Sequence, residues 1–315
     1  MNSQGHVPPA IPVLDEAAVR SLLSLEALMP AMERALIDFS SGRVLQPVRS
    51  IIPVLQHEAL MGIMPAVYGD IMGSKLVNVY PGNAALGLPT HQAIIAVFRS
   101  STGEPLAVLD GRLITEMRTA AVSAVATRLL SAPNARTLAI LGSGVQAQAH
   151  VRALALVRNF DDVRVWSRTP ERARAFAQEV GAKATSAEEA VRNADVVVTC
   201  TNSPQPVLRG AWLKPGVLVN AVGAVGTTRR ELDDDAMHGV VVVDSREAAM
   251  QESGDILLAK ARIHAELGEL LAGSRPIPQA PFTVFKSLGL AVEDLAAARL
   301  VLEKLHNSQQ KAGAG

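Results

Sequence analysis

A glycine-rich stretch near the middle of the chain has the spacing of a phosphate-binding turn. The apolar run TLAIL at 137–141 leads directly into GSGVQA at 142–147, which matches the pattern G-x-G-x-x-A. Gly142 would permit a tight turn, Gly144 would let the backbone approach a pyrophosphate, and a small third residue would let helix and strand pack closely. The stretch therefore predicts a dinucleotide site, with a glycine turn that binds no ligand as the alternative.

The residues after the next predicted strand indicate which dinucleotide would bind. An NAD site usually places Asp or Glu there, where it bonds the ribose 2′-hydroxyl. This chain instead has Ser167, Arg168 and Thr169, with Arg172 one turn further on. A guanidinium pairs well with a 2′-phosphate, and the hydroxyls can donate further hydrogen bonds. NADPH is therefore favoured. If Arg168 only stacks on the adenine or faces solvent, NADH would be used as well.

Three cations outside this unit stand among apolar or constrained neighbours. Arg49 follows Gln-Pro-Val, Lys75 lies in GSKLVNVYPGN, and Arg118 lies in a segment of mostly small and apolar residues. Charged side chains seldom sit among buried apolar neighbours without a partner. If the three met in one cleft, they would suit a small carboxylate substrate, with arginine as a bidentate clamp. Spacing alone leaves ordinary surface or salt-bridged positions open.

The elements around the glycine turn alternate between strands and helices. Continuously apolar runs predict buried parallel strands at 137–144, 163–168, 196–201, 217–223 and 240–245. Residues rich in Ala, Glu, Arg and Leu predict helices at 146–158, 170–180 and 186–193. Ser186 and Glu189 have the spacing of a capping box. This alternation predicts a doubly wound parallel sheet.

The first 115 or so residues have a different pattern. One or two helices are predicted over 15–42, and short strands follow at 50–55, 93–98 and 105–110. This order predicts an α+β unit on an antiparallel or mixed sheet. A helix over 115–130 would lead into the nucleotide unit. An amphipathic helix over roughly 286–307 would return to pack on the first unit.

Composition excludes several classes of protein. The 315 residues carry 30 Lys+Arg and 30 Asp+Glu, so a nucleic-acid or anionic-membrane partner is not expected. The single cysteine, Cys200, allows no internal disulfide and is expected to pack in an apolar strand. No secretory signal and no membrane span are expected. Composition thus predicts a soluble, cytoplasmic protein.

Four segments in order resemble the ornithine cyclodeaminase/mu-crystallin family. They are KLVNVYPGN at 75–83, GLPT at 87–90, LDGRLITEMRTAA at 109–121 and the glycine turn. The resemblance covers about residues 10 to 307. It implies an α/β protein with a Rossmann domain at 119–286, and a substrate and dimerisation domain built from both chain ends, 1–118 and 287–315. It also implies a homodimer.

The family pattern also implies roles for individual residues. Arg49, Lys75 and Arg118 would bind the substrate carboxylate, and Lys75 would act as the catalytic residue near the reacting nitrogen. The loop that closes over the substrate would contain Ser287, Leu288 and Gly289. The expected cofactor contacts include the residues of the glycine turn. They are Thr90, Arg118, Gly142, Gly144, Val145, Gln146, Ser167, Arg168, Thr169, Thr201, Val222, Gly223 and Ala224.

One loop departs from the family pattern. In the cyclodeaminases it reads approximately Gly-Ala-Asp-x-Pro-Gly-Lys-x-Glu-Leu, and here GAVGTTRREL at 223–232 has Val225 in place of the acid. Cyclodeamination needs a positioned acid/base, whereas reduction of a preformed cyclic imine needs mainly positioning and electrostatics. The departure therefore resembles the Δ1-pyrroline-2-carboxylate reductases, which make L-proline. Some of them also convert Δ1-piperideine-2-carboxylate to L-pipecolate.

Two alternatives stay open at this stage. The chain could be an ornithine cyclodeaminase or an alanine dehydrogenase-type enzyme, with Asp233 or Glu231 replacing the lost acid. It could also be a nucleotide-binding, crystallin-like protein with little chemistry. Glu231 and Asp233 are expected at a helix start, and the acidic runs at 244–247 and 252–255 at solvated helix ends. His91 is expected to be structural, and no metal is expected because no His/Cys ligand cluster occurs.

Overall fold

The computed structural model describes residues 10–313, and its first part is built on a mostly antiparallel sheet. Its strands are β1 (Val13–Leu14), β2 (Val44–Leu45), β3 (Ser50–Val54), β4 (Ala59–Tyr68), β5 (Ile71–Val79), β6 (His91–Arg99) and β7 (Pro105–Asp110). The strand order is β1-β7-β6-β5-β4-β2, with β3 also paired to β4. Its helices are α1 (Glu16–Leu22), α2 (Leu25–Ser40) and α3 (Gly111–Leu130).

The second sheet is parallel throughout. Its strands are β8 (Thr137–Leu141), β9 (Asp162–Trp166), β10 (Lys183–Ala184), β11 (Val196–Thr199), β12 (Val217–Ala221), β13 (Val240–Val243), β14 (Ile263–Glu266) and β15 (Phe282–Lys286). The remaining helices are α4 (Val145–Ala155), α5 (Pro170–Val180), α6 (Ala187–Val191), α7 (Arg246–Glu252), α8 (Gly254–Ala259), α9 (Leu267–Leu271) and α10 (Ala291–Gly313).

The strand order of the parallel sheet fixes where a ligand can enter. The order is β10-β9-β8-β11-β12-β15-β13-β14, so the chain proceeds in opposite directions from the border between β8 and β11. In doubly wound sheets, ligands bind beyond the carboxyl ends of the strands at such a switch point. The doubly wound fold predicted from sequence is confirmed, together with the antiparallel sheet of the first part.

Local expectations from sequence hold in detail in most of the parallel sheet. Each of its five predicted strands is present and ends two or three residues earlier than expected, where the chain turns into a loop. The capping box between Ser186 and Glu189 is also present. The strands that were not anticipated are β1, β2, β4, β5, β10, β14 and β15.

The predicted start of the last helix is wrong. Lys286 is the final residue of the buried strand β15, and Gly289 follows with a φ of 79°, so α10 begins only at Ala291. From there α10 packs against α2, α3, β4 and β5. The domain boundaries drawn from sequence stay a prediction.

Two further expectations concern a membrane span and a secretory signal. Over residues 10–313, no helix is long and apolar enough to cross a membrane. The expected lack of a secretory signal concerns mainly residues 1–9, which lie outside the described part of the chain.

Candidate active site

Two of the predicted substrate-binding cations lie in one buried charge cluster. The alternation of β5 turns Lys75 to its buried face, and α3 and α10 pack over this strand. The Lys75 Nζ atom lies 2.7 Å from Asp294 Oδ2, and Arg118 Nε lies 3.2 Å from Asp294 Oδ1. Arg118 also donates to Glu293 Oε2 at 2.9 Å. We call Lys75, Arg118, Glu293 and Asp294 the substrate-side cluster.

Arg49 approaches this cluster through the loop that follows β15. Its Nη2 donates to the carbonyl oxygens of Leu288 at 2.9 Å and Gly289 at 2.8 Å, and its Nε lies 3.0 Å from Glu252 Oε2. Gly289 also lies against Arg118, because a Cβ atom there would collide with the guanidinium. The 287–289 loop therefore contacts both Arg49 and Arg118.

The same loop is fixed in place by a buried carboxylate. Asp244 Oδ2 accepts from Ser287 Oγ at 3.1 Å and from the backbone N–H groups of Leu288 and Gly289, both at 2.6 Å. Asp244 stands directly after β13 and is fully buried. Because β13 and β15 are neighbours in the parallel sheet, Asp244 ties the loop to the carboxyl edge of that sheet.

Burial shifts the proton affinities in the substrate-side cluster. Burial lowers the pKa of Lys75 to about 8; Asp294 opposes this shift, and Arg118 adds to it. Burial raises the pKa of Glu293 to about 7, against the attraction of Arg118. For Arg118, burial favours the neutral form, but Asp294, Glu293 and Asp244 outweigh it and raise the pKa. Lys75 can therefore hold or release a proton close to neutral pH.

The structure bears on one alternative that the sequence left open and corrects one expectation about acids. Salt-bridged positions were left open for the three cations, and each is paired with a carboxylate of the chain. The acids at 244–247 and 252–255 were expected to be solvated, yet Asp244 and Asp255 are fully buried and Glu252 contacts Arg49. One signal was available for the cluster, since Glu293 and Asp294 interrupt the apolar sequence LGLAVEDLAAA.

The glycine turn lies at the switch point with the geometry that a pyrophosphate cradle needs. Gly142 has a φ of 139°, and a Cβ atom there would come 2.7 Å from the carbonyl oxygen of Cys200. Gly144 is the N-cap of α4 and offers no side chain to the free N–H groups, which suits a phosphate. Val145 is exposed, and Gln146 Oε1 is buried with no hydrogen-bond partner among the described residues. The turn fits a dinucleotide.

The loop after β9 extends the same crevice. Ser167 Oγ accepts from Ser143 Oγ at 2.9 Å, which joins this loop to the glycine turn. Arg168, Thr169 and Arg172 follow and are exposed to solvent. Within the described part of the chain, Arg168 has no salt bridge, so its guanidinium is available to a ligand.

Glu231 has a role that the sequence did not indicate. It was expected at a helix start, but it lies outside the helices and is fully buried. Its carboxylate accepts five hydrogen bonds, from Thr199 Oγ1, the N–H and Oγ1 of Thr201, and the N–H groups of Gly223 and Ala224. Glu231 thus fixes the loops after β11 and β12, which contain four of the predicted cofactor contacts, Thr201, Val222, Gly223 and Ala224.

A second buried lysine supports the loop after β12. Lys286 Nζ donates to the Ala224 carbonyl oxygen at 2.7 Å and lies 2.9 Å from Asp255 Oδ2. Asp255 Oδ1 accepts from the N–H groups of Glu231 at 2.8 Å and Leu232 at 3.0 Å. We call Lys286, Asp255 and Glu231 the loop-side cluster. Sequence reasoning missed Lys286 because its strand was not anticipated.

The remaining predicted residues have simpler surroundings. Val222 N–H donates to the carbonyl of Thr199 at 2.9 Å, and the Thr90 carbonyl accepts from Tyr80 N–H at 2.8 Å, just before β6. Val225 is 41% exposed, and Asp233 accepts from the N–H groups of Gly210 and Ala236.

Burial shifts the pKa values of His91 and Cys200. Burial, with a smaller contribution from the charges of Lys75 and Arg118, lowers the pKa of His91 to about 4. Burial also raises the pKa of the Cys200 thiol, which lies against the carbonyl of Leu141. Across residues 10–313, no group of three or more His, Cys, Asp or Glu side chains could hold a metal.

Comparison with known proteins gives one family and a consistent set of relatives. The model of the ornithine cyclodeaminase/mu-crystallin family matches residues 12–309. The chain is 48% identical over 291 residues to ketimine reductase mu-crystallin of Mus musculus, covering 90% of this chain and 93% of the mouse protein. It resembles Δ1-pyrroline-2-carboxylate reductase of Thermococcus litoralis, solved with NADH and L-proline, with a TM-score of 0.90, 34% identity and coverage of 95% and 98%. It also resembles an archaeal alanine dehydrogenase dimer solved with bound NAD. For that structure the TM-score is 0.89 and the identity 32%, covering 95% of this chain and 97% of the other.

Proposed function

This chain belongs to the ornithine cyclodeaminase/mu-crystallin family, and we propose that it is an NAD(P)H-dependent oxidoreductase that reduces cyclic imine carboxylates. The proposed reaction converts Δ1-pyrroline-2-carboxylate to L-proline, and the six-membered Δ1-piperideine-2-carboxylate to L-pipecolate. One observation carries the proposal: the 287–289 loop leaves β15, an interior strand of the nucleotide-binding sheet, and contacts both Arg49 and Arg118. A carboxylate held by these arginines would lie next to the crevice that a nicotinamide would enter.

The residues of the chain divide the work of this reaction. Arg49 and Arg118 would hold the substrate carboxylate, and Lys75 would donate a proton to the imine nitrogen as the charge on that nitrogen develops. Bound nicotinamide cofactor supplies the hydride that reaches the imine carbon. The glycine turn would hold its pyrophosphate, and the loops fixed by Glu231 would support its ring. The Ser287–Gly289 loop would close the substrate side.

The surroundings of residue 225 favour imine reduction over cyclodeamination. Val225 offers no proton, while Glu231 and Asp233 are engaged by backbone N–H groups. Glu252 lies near the site but is paired with Arg49. The second ammonium of ornithine would have to compete with an arginine for that carboxylate. The cyclodeaminase and amino-acid dehydrogenase alternatives are therefore less well supported.

The mouse and Thermococcus litoralis relatives also weigh against a non-catalytic, crystallin-like role, since the names of both describe reductases. The test is to offer the purified protein NADPH with each imine, and separately NAD⁺ with ornithine. We expect the absorbance of NADPH at about 340 nm to fall with the imines. We expect no ammonia to be released from ornithine. Rapid ammonia release would overturn the assignment, and no reaction in any arm would favour the crystallin-like alternative.

We further propose that NADPH is preferred over NADH. Support comes from Ser167, Arg168 and Thr169, which stand at the carboxyl end of β9 where a ribose 2′ substituent would lie. The relatives solved with NADH or NAD show that the fold also accepts the unphosphorylated cofactor. Arg168→Ala should raise the KM for NADPH at least about tenfold and change the KM for NADH little, because a guanidinium–phosphate contact is lost. Equal changes in the two constants would contradict the 2′-phosphate role.

The proposal extends to assembly and location. Exposed apolar side chains on one face of the antiparallel sheet, Leu45, Ile52 and Ile94, support a homodimer. The archaeal alanine dehydrogenase named above is itself a dimer. The single cysteine supports a cytoplasmic location.

A further inference from the structure

Asp294 divides its carboxylate between the two cations that would act on the substrate. Its Oδ2 lies 2.7 Å from Lys75 Nζ, and its Oδ1 lies 3.2 Å from Arg118 Nε. All three side chains are at least 95% buried, so solvent cannot substitute for these contacts. A single carboxylate therefore fixes the distance between the proposed proton donor and one of the proposed carboxylate clamps.

The other contacts of Lys75 are few. Its ammonium group donates to Thr115 Oγ1 at 3.3 Å, a long hydrogen bond to a neutral oxygen. Asp294 therefore supplies the ion pair in which Lys75 is held. Among the described residues, the Thr115 hydroxyl is the one hydrogen-bond acceptor of Nζ, and Asp294 Oδ2 contacts Nζ as an ion pair. An ammonium has three N–H donors, so Lys75 retains a donor for a substrate nitrogen.

Building on the proposed function, we propose that Asp294 is the positioning residue that keeps Lys75 protonated and aimed, so that Lys75 serves as the proton donor to the imine nitrogen. In the reaction, one Nζ–H bond of Lys75 breaks and an N–H bond forms on the substrate. The electron pair of that N–H bond comes from the nitrogen, and the hydride from NAD(P)H reduces the adjacent carbon. Lys75 is left as a neutral amine beside Asp294 and regains its proton from water.

Charges from several elements act on Lys75, and Asp294 is the one that opposes its deprotonation. Arg118 on α3 and Arg49 after β2 both repel the ammonium. His91 on β6 is neutral near pH 7, because its pKa is about 4. Glu293 precedes Asp294 on α10 but pairs with Arg118. Without Asp294, burial and two arginines would act together to release the Lys75 proton.

The pH profile of turnover tests this role, once the wild-type protein has been shown to reduce an imine at neutral pH. Turnover should fall as pH rises through about 8, where Lys75 loses its proton. Asp294→Asn removes an attractive negative charge and so lowers the pKa of Lys75; the alkaline limb should move to lower pH by about 1 to 3 units. The titration of the imine itself is the same for every variant and cancels in the ratio to wild type.

Two variants provide matched controls. Asp294→Glu keeps the charge and should restore the wild-type limb. Glu293→Gln changes the neighbouring acid, which touches Arg118 and not Lys75, and should leave the limb in place. An unmoved limb in Asp294→Asn, or an equal movement in Glu293→Gln, would overturn the inference while leaving the proposed reaction intact. If the wild-type protein reduces neither imine, the proposed function itself fails.

A second measurement does not depend on the folding of an Asp294 variant. Lys75→Arg keeps a cation opposite Asp294, but a guanidinium does not titrate in this range. We expect this variant to turn over slowly. Its turnover divided by that of the wild type should rise with pH through about 8, where only the wild-type protein loses its donor proton. If that ratio is flat across this range, Lys75 is not the proton donor and Asp294 has no donor to keep protonated.

Discussion

The two buried clusters use the same types of residue for different ends. Each has a lysine with almost no solvent exposure, Lys75 in one and Lys286 in the other, and each lysine faces an aspartate within 3 Å. In the loop-side cluster, Glu231 accepts five hydrogen bonds and Lys286 donates to a backbone carbonyl, and Asp255 Oδ2 is the one acceptor with an ion pair but no hydrogen bond. In the substrate-side cluster, neither Glu293 Oε1 nor Asp294 Oδ2 has a hydrogen-bond partner among the described residues. Lys75 has only a long bond to a hydroxyl besides its ion pair.

This difference separates structural charges from reactive ones. A buried network in which polar groups find partners fixes the backbone around it, and here it fixes the loops after β11 and β12. A network with unused donors and acceptors costs free energy, unless a ligand completes it. The substrate-side cluster retains such groups beside the loop that contacts Arg49 and Arg118, which is the arrangement that a bound imino acid would complete.

The largest effect should follow from removing the reactive lysine. Lys75→Ala should reduce turnover about 10²-fold to 10⁴-fold, the usual contribution of a positioned proton donor. Asp294 would then share Arg118 with Glu293, so it keeps one ion-pair partner. The variant should therefore fold and bind NADPH with nearly unchanged affinity, measured by quenching of cofactor fluorescence. Turnover close to wild type would place the reaction in another part of the molecule.

The sequence predicted the nucleotide-binding part well because its signals are local. The turn at Gly142 and the cap at Ser186 depend on residues a few positions apart, and the structure has the expected geometry at both. Strand β15 was missed since the chain reaches it after a long excursion through β13 and β14 and then inserts it between β12 and β13. No local pattern encodes that insertion, and Lys286 was missed with it.

Of the candidate site, the cations could be predicted from the sequence and their acidic partners could not. The three cations could be singled out from their apolar neighbours and from the family resemblance. Their acidic partners could not, because the partner of Arg118 is 176 residues away in sequence and that of Arg49 is 203 residues away. Such pairings exist only after α10 has packed on the antiparallel sheet and the 287–289 loop has closed. Val225 drew attention to a missing acid, while the acids at the site lay elsewhere.

A smaller effect, on stability and not on chemistry, should follow from removing the structural lysine. Lys286→Met leaves Asp255 and Glu231 buried without their cation and should reduce the free energy of unfolding by about 3 to 5 kcal/mol. Burial already raises the pKa of Glu231, and loss of Lys286 raises it further. A carboxyl with a raised folded-state pKa favours the folded state at low pH, so the deficit should narrow as pH falls from 8 to about 5.

Urea unfolding at pH 8 and at about pH 5 measures the loss of unfolding free energy in Lys286→Met. A lysine–aspartate pair at the surface serves as the control. Lys214 lies 2.6 Å from Asp195, but both side chains are partly exposed, so Lys214→Met should cost only about 0 to 1 kcal/mol. If Lys286→Met cost no more than this control, the loop-side cluster would not stabilise the fold. If Lys286→Met instead left stability intact and abolished turnover, the two buried lysines would share a chemical role, and the distinction between the clusters would fail.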